Sequence, residues 1–167
     1  MIWRHVGKGT FIGPRQMPDN DASLSAAISV DDLLDARLVL EPQLAAQAAI
    51  HATAADIAVM EQSLSEMQTA KPFLHWKRLD ERLHRAIAEA THNALLLMLY
   101  GTMRTQMHVN LDSRIEAVYA PMTEPRQDTD DEHRKLVEAI RAHNPDRAEQ
   151  AMREHLRSVR TRLFGQR

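Results

Sequence analysis

The chain has 167 residues, enough for one domain with its own core, and its 44% hydrophobic and 26% charged content is that of an ordinary soluble globule. With no cysteine it can build neither a disulfide nor a thiolate metal site, so any metal must be held by histidine and carboxylate. No apolar run approaches the roughly 18 residues of a membrane span and no signal-peptide pattern opens the chain, which excludes membrane function and points to the cytoplasm. The net charge of -2 hides an asymmetry: residues 1 to 16 carry Arg4, Lys8 and Arg15 and no acid, so the charge sign that nucleic acid prefers is confined to that segment.

In chain order, residues 2 to 13 hold β-formers around Gly7-Lys8-Gly9, which predicts one short hairpin, and Pro14, Pro18, Asp19 and Asn20 make a linker over 17 to 29. A hairpin this small is not stable alone, so it reads as the end of something larger. From Val30 the text turns to helix formers. The first helix is expected to run from Val30 to about Ala52 with Asp31 or Asp32 as N-cap, and the second from Ala54 to Thr69, stopping before Pro72. A third is expected from Phe73 to Thr91 and a long fourth from Asn93 to Tyr119, broken by Pro121 and Pro125. The fifth spans about Thr129 to His143, and the sixth opens with Asn144 as N-cap and Pro145 at the first position and runs to about Phe164. The fold class is therefore all-α, an antiparallel bundle of about six helices over residues 30 to 167.

The informative residues are polar ones on apolar stripes, because a buried polar group must find a partner or do something. On the third helix Trp76, Leu83, Ile87 and Ala90 mark the inward face, and Asp80 and His84 flank it one turn apart, while Glu81 projects further round and is expected in solvent. His133 lies between inward Leu136, Val137 and Ile140, and His155 shares a face with Ala148, Met152, Leu156 and Val159. One carboxylate and three imidazoles suit a first-row divalent ion, zinc first, with nickel, manganese or cobalt as alternatives, and leave coordination positions open for water or a small carboxylate. Each residue taken singly reads more readily as a core histidine or a helix ion pair, but the four together favour a site. In the first helix Arg37 and Glu41 sit within the stripe of Leu33, Leu40, Leu44 and Ala48. They read either as a carboxylate anchor held by Glu41 or as a structural ion pair at a dimer or helix interface. His5, His51, His75, His92, His108 and His143 have no such alignment and read as surface or edge residues.

The segment Arg4-His5-Val6-Gly7-Lys8-Gly9-Thr10-Phe11-Ile12 resembles the wing that ends a GntR-type winged helix-turn-helix. The remainder resembles the FadR-type C-terminal effector-binding (FCD) domain of that superfamily, on Arg37-x-x-Leu40-Glu41, Asp80-x-x-x-His84 with Asn93 after it, Glu132-His133 and Glu154-His155-Leu156. Leu83 stands where the family's pattern has Phe, and Asn144-Pro145-Asp146 where it has Gly-Asp. The resemblance implies metal binding by Asp80, His84, His133 and His155, and an effector carboxylate at Arg37 with Glu41 behind it. It makes residues 1 to 16 the remnant of a DNA-binding wing, with Arg4, Lys8, Gly9 and Thr10 as its DNA contacts. Arg104, Asn110 and Arg114 on the fourth helix are candidates for discriminating between effectors.

The function expected is that of a ligand-sensing domain of a metabolite-responsive transcription regulator, acting as a homodimer and not as an enzyme. Operator DNA is a partner only of a full-length form that carries the recognition helix, because a wing alone supplies phosphate and minor-groove contacts. The alternative is a metal-dependent helical enzyme: either a ferritin-like bundle using Glu81-x-x-His84 and Glu89-x-x-His92, or a mononuclear hydrolase.

Overall fold

Helix-start signals set where the bundle turns. In a computed structural model the chain is described over residues 2–5, 9–12, 27–119 and 125–165. Strands β1 (Ile2–His5) and β2 (Gly9–Ile12) pair antiparallel, with Ile2 opposite Ile12 and His5 opposite Gly9. Lys8, the side chains of Arg4 and Thr10, and most of the expected linker lie outside the described residues.

Seven helices follow among the described residues: α1 (Val30–His51), α2 (Ala54–Thr69), α3 (Phe73–Glu89), α4 (Ala94–Asn110), α5 (Asp112–Tyr119), α6 (Pro125–Arg141) and α7 (Pro145–Phe164). None is long and apolar enough to cross a membrane. The first N-cap is Ser29 rather than Asp31 or Asp32. Asp32 is instead the third helical residue and returns its carboxylate to the Ser29 backbone N–H, closing a capping box. Thr53 and Asp56 repeat the device at α2. Asn93 and Asn144 cap α4 and α7 through their side-chain oxygens.

The expected fourth helix is divided. Leu111, fully buried, leaves the helical region at φ −120° and ψ −32°, and the chain restarts at Asp112. Sinking Leu111 into the core breaks the register, a tertiary effect that helix propensity does not report. Pro125, expected to act as a breaker, opens α6, where its missing N–H costs nothing.

The central packing is that of α1 on α7, with α1 also against α3, α4 and α6, and with α2 covering α3 and α6. Leu83, Leu136, Ile140 and Met152 are almost fully excluded from solvent. The same three helices that supply these residues, α3, α6 and α7, carry the inward histidines.

At the far end of the bundle the turns after α3 and α6 each place a histidine, His92 and His143, at φ 50°. Asn144 N–H then reaches back to Ala139 O (3.1 Å), so the αL residue ends α6 where glycine is usual. His143 Nδ1 donates to Ala49 O at 2.9 Å, and His92 Nε2 meets Asp56 Oδ2 at 2.9 Å. Partial burial works against the Asp56 carboxylate, but hydrogen bonds from the Thr53 hydroxyl and backbone and from His92 outweigh it and hold the carboxyl below its ordinary range. A depressed carboxyl stabilises above its unfolded pKa and loses that contribution as pH falls through its folded value. Urea unfolding should therefore show Asp56→Ala less stable than the parent by about 1 kcal/mol at pH 7, with the difference closing as the solution is acidified through the lowered range of this carboxyl.

Candidate metal centre

Helical spacing puts Asp80 and His84 one turn apart on α3, α6 supplies His133 and α7 supplies His155. One ligand atom from each lies within 4.8 Å of the others. His84, His133 and His155 are buried, while Asp80, its side chain 23% exposed, stands at the cluster's edge. The ring centroids of His133 and His155 are 4.4 Å apart, and that of His84 is 5.5 and 5.3 Å from them. His133 Nε2 comes within 3.2 Å of Asp80 Oδ1, and His84 Nε2 within 3.8 Å of the same oxygen.

His84 Nε2 and His133 Nδ1 are buried without a hydrogen-bond partner, and His133 Nε2 has only the poorly aligned Asp80 carboxylate beside it. Leaving such an atom unmet costs about 1–3 kcal/mol. Several in one cluster, beside a carboxylate, is the donor set a divalent ion would satisfy, so the residues fit a metal.

The outer edges of two imidazoles are tied down. His84 Nδ1 donates to Glu41 Oε2 at 2.6 Å and His155 Nδ1 to Glu132 Oε2 at 3.0 Å, which leaves each Nε2 lone pair facing the cluster. Glu132 is held in turn by Arg162 Nη2 at 3.0 Å, and Arg162 Nη1 reaches Thr129 Oγ1 at 2.7 Å. Burial, then the neighbouring His133, pushes His155 down to about 3, so it is the neutral imidazole a metal requires. Partial burial raises the Asp80 carboxyl, but the imidazoles around it prevail and keep it ionised below the ordinary range.

Glu41 also grips Arg37, with Oε1 at 2.5 Å from Nε and Oε2 at 3.4 Å from Nη2, both residues being buried. Burial opposes its charge, but Arg37 and His84 more than offset this and hold its carboxyl well below the usual range. Sequence reasoning paired Glu41 with Arg37 and missed its second role at His84. Glu132 was read only as part of a motif. Both contacts cross between helices, where spacing along one helix carries no signal.

A cavity adjoins the cluster, lined among others by Arg37, Asp80, Glu81, Tyr100 and Arg104. Arg104 thus stands where effector discrimination was expected, whereas the side chains of Asn110 and Arg114 lie outside the described residues. The expectation that Glu81 is solvated is wrong. Its side chain is 23% exposed and pairs with Arg104 and Lys77, because α4 and α5 pack over that flank of α3. Glu81, His108 and Asp112 also lie close enough to share a metal, but Lys77 and Arg104 already neutralise those carboxylates. Glu89, needed for a second ferritin-type pair, is exposed and bonds Arg85 Nε at 2.8 Å. His108, half exposed, pairs with Asp112, and His51 and His75 are exposed.

With this geometry in hand, residues 32–158 match the FCD domain family. The chain belongs to that family, the FCD-domain regulators of the GntR superfamily. It is 30% identical to the Uxu operon transcriptional regulator of Escherichia coli K12 over 95% of this chain and 64% of the relative. It is 30% identical to the transcriptional regulator LutR of Bacillus subtilis over 95% of this chain and 75% of the relative. The Glc operon transcriptional activator of E. coli K12 is 28% identical over 79% of this chain and 54% of its own length, so the chain spans between half and two thirds of the first of these relatives and of this one. Among solved structures, a GntR protein of Streptococcus agalactiae superposes with a TM-score of 0.64 at 25% identity, over 95% of this chain and 73% of that one. A metal-free FCD domain superposes at 0.63 and 17% identity, over 83% and 95%, and speaks to fold alone.

Glu41→Ala leaves Arg37 buried without its partner and frees the outer edge of His84. Breaking such a pair should lower stability by about 3–5 kcal/mol, read as a fall in the urea midpoint with an unchanged m-value.

Proposed function

We propose that this chain is the sensor half of a metabolite-responsive regulator, in which Asp80, His84, His133 and His155 hold a divalent ion, zinc before nickel, manganese or cobalt, and a small carboxylate effector meets the ion and Arg37. The observation that carries this reading is the buried convergence of one carboxylate and three imidazoles with unmet nitrogens facing one another. The ion supplies a fixed positive charge and open coordination positions when bound. The protein's own groups do the rest: Glu41 and Glu132 orient two ligands, and Arg37 offers a guanidinium to an incoming carboxylate.

The effector acts on DNA only if it favours one packing of the bundle over another, and the bundle is linked to paired DNA-binding domains. A homodimer is supported by α4, whose Leu95, Met98 and Leu99 are 59%, 59% and 47% exposed on one helical face, an apolar surface a second copy would cover. On this reading residues 1–16 belong to the end of a wing, Arg4, Lys8, Gly9 and Thr10 are its candidate DNA contacts, and operator binding belongs to a full-length form.

Elemental analysis after zinc loading should give about one ion per chain. Zinc at a thousandfold excess over its Kd should stabilise the fold by about 4 kcal/mol. His84→Ala and His133→Ala should lose the ion, and with it the binding of carboxylates followed by calorimetry. Carboxylate binding that survives both substitutions would refute the site.

For the dimer, Leu95→Glu with Met98→Glu should give a monomer by light scattering while helical circular dichroism stays at the parent level. A parent that is already monomeric at micromolar concentration would argue against this face.

A further inference from the structure

We propose that the pocket end lined by Lys77, Glu81 and Arg104, with Asp112 paired behind them, selects an effector with several hydroxyl groups and a single carboxylate, a polyhydroxy monocarboxylic acid. This rests on the carboxylate-sensor reading above and adds to it the class of acid.

Lys77, Asp80, Glu81 and His84 all line that cavity and fall within two turns of α3, so the helix itself connects its two ends. At the His84 end, Arg37 and a divalent ion outweigh Glu41 and Asp80 by one positive charge, with the imidazoles neutral. One carboxylate balances that end.

At the other end no charge is left over among the described residues. Lys77 Nζ lies 3.0 Å from Asp112 Oδ2 and 3.4 Å from Glu81 Oε1, and Arg104 pairs with Glu81 and stands 3.8 Å from Asp112 Oδ1. His108 meets Asp112 from the solvent side. The four side chains are only 12–23% exposed.

Three kinds of effector tail can be compared there. A second carboxylate would bring an unmatched negative charge into a site largely closed to water. An apolar tail would strip solvent from four charges and return nothing. A hydroxyl is donor and acceptor at once: it can accept from Lys77 or Arg104 and donate to Glu81 without disturbing the balance. Polar groups fixed in this way reject analogues that cannot complete them far more strongly than an apolar wall rejects a misfit.

The test is calorimetric titration of the zinc-loaded full chain with acids matched in carbon count: hexanoate, the hexonates gluconate, galactonate and mannonate, and the diacid glucarate, with acetate alongside. The best hexonate should bind about tenfold or more tighter than either hexanoate or glucarate. Glu81→Gln gives this end an uncompensated positive charge, so it should shift the preference severalfold towards glucarate while leaving zinc content unchanged. Hexanoate or glucarate matching the best hexonate, or a preference unmoved by Glu81→Gln, overturns the inference and leaves the sensor reading intact. If no acid binds, acetate included, or if zinc makes no difference to binding, the sensor reading falls and takes this inference with it.

Discussion

The carboxylate of Glu41 is where the architecture of this domain is knotted together. Its oxygens meet Arg37 on the same helix and His84 on α3, so α1 and α3 are joined through a buried, paired charge. Without Arg37 the desolvated anion would be costly, and without Glu41 the imidazole would lose the proton acceptor that turns its other nitrogen towards the cluster. Glu132 repeats the arrangement between α6 and α7, with Arg162 in the part of Arg37. The cluster is thus framed by two cation-carboxylate-imidazole chains arriving from different sides. His133 has no such support, and its ring is fixed by burial and by Trp76, whose own N–H is bound to Asp130 at 2.8 Å.

This arrangement divides labour between anchoring and choosing. The buried charges around the histidines are mutually satisfied and rigid, suited to holding a fixed ion. Around Arg104 the charges are instead shared among several partners, Glu81, Asp112 and Lys77.

Much of this was legible in the residues. Helix limits followed from Pro72, Asn144 and Pro145, because capping and proline chemistry act within a few residues of themselves. The inward placement of His84, His133 and His155 followed from helical periodicity against Leu83, Leu136 and Leu156. What sequence did not disclose was tertiary. The break at Leu111, the burial of Glu81 beneath α4 and α5, and the grip of Glu132 on a histidine in the next helix each depend on which surfaces meet. The Ser29 cap was missed for a smaller reason: two consecutive aspartates beside it offered the same chemistry one turn too late.

Asp80 and His84 are neighbours on one turn, whereas His133 and His155 join them only after the intervening helices have docked. In a disordered chain the cost of closing those long loops falls on any ion that tries to gather all the donors, so a polypeptide emerging during synthesis offers at best a weak bidentate hook. On the proposed reading, tight capture of an ion would therefore report that the bundle has been completed, and metal occupancy would mark structural integrity.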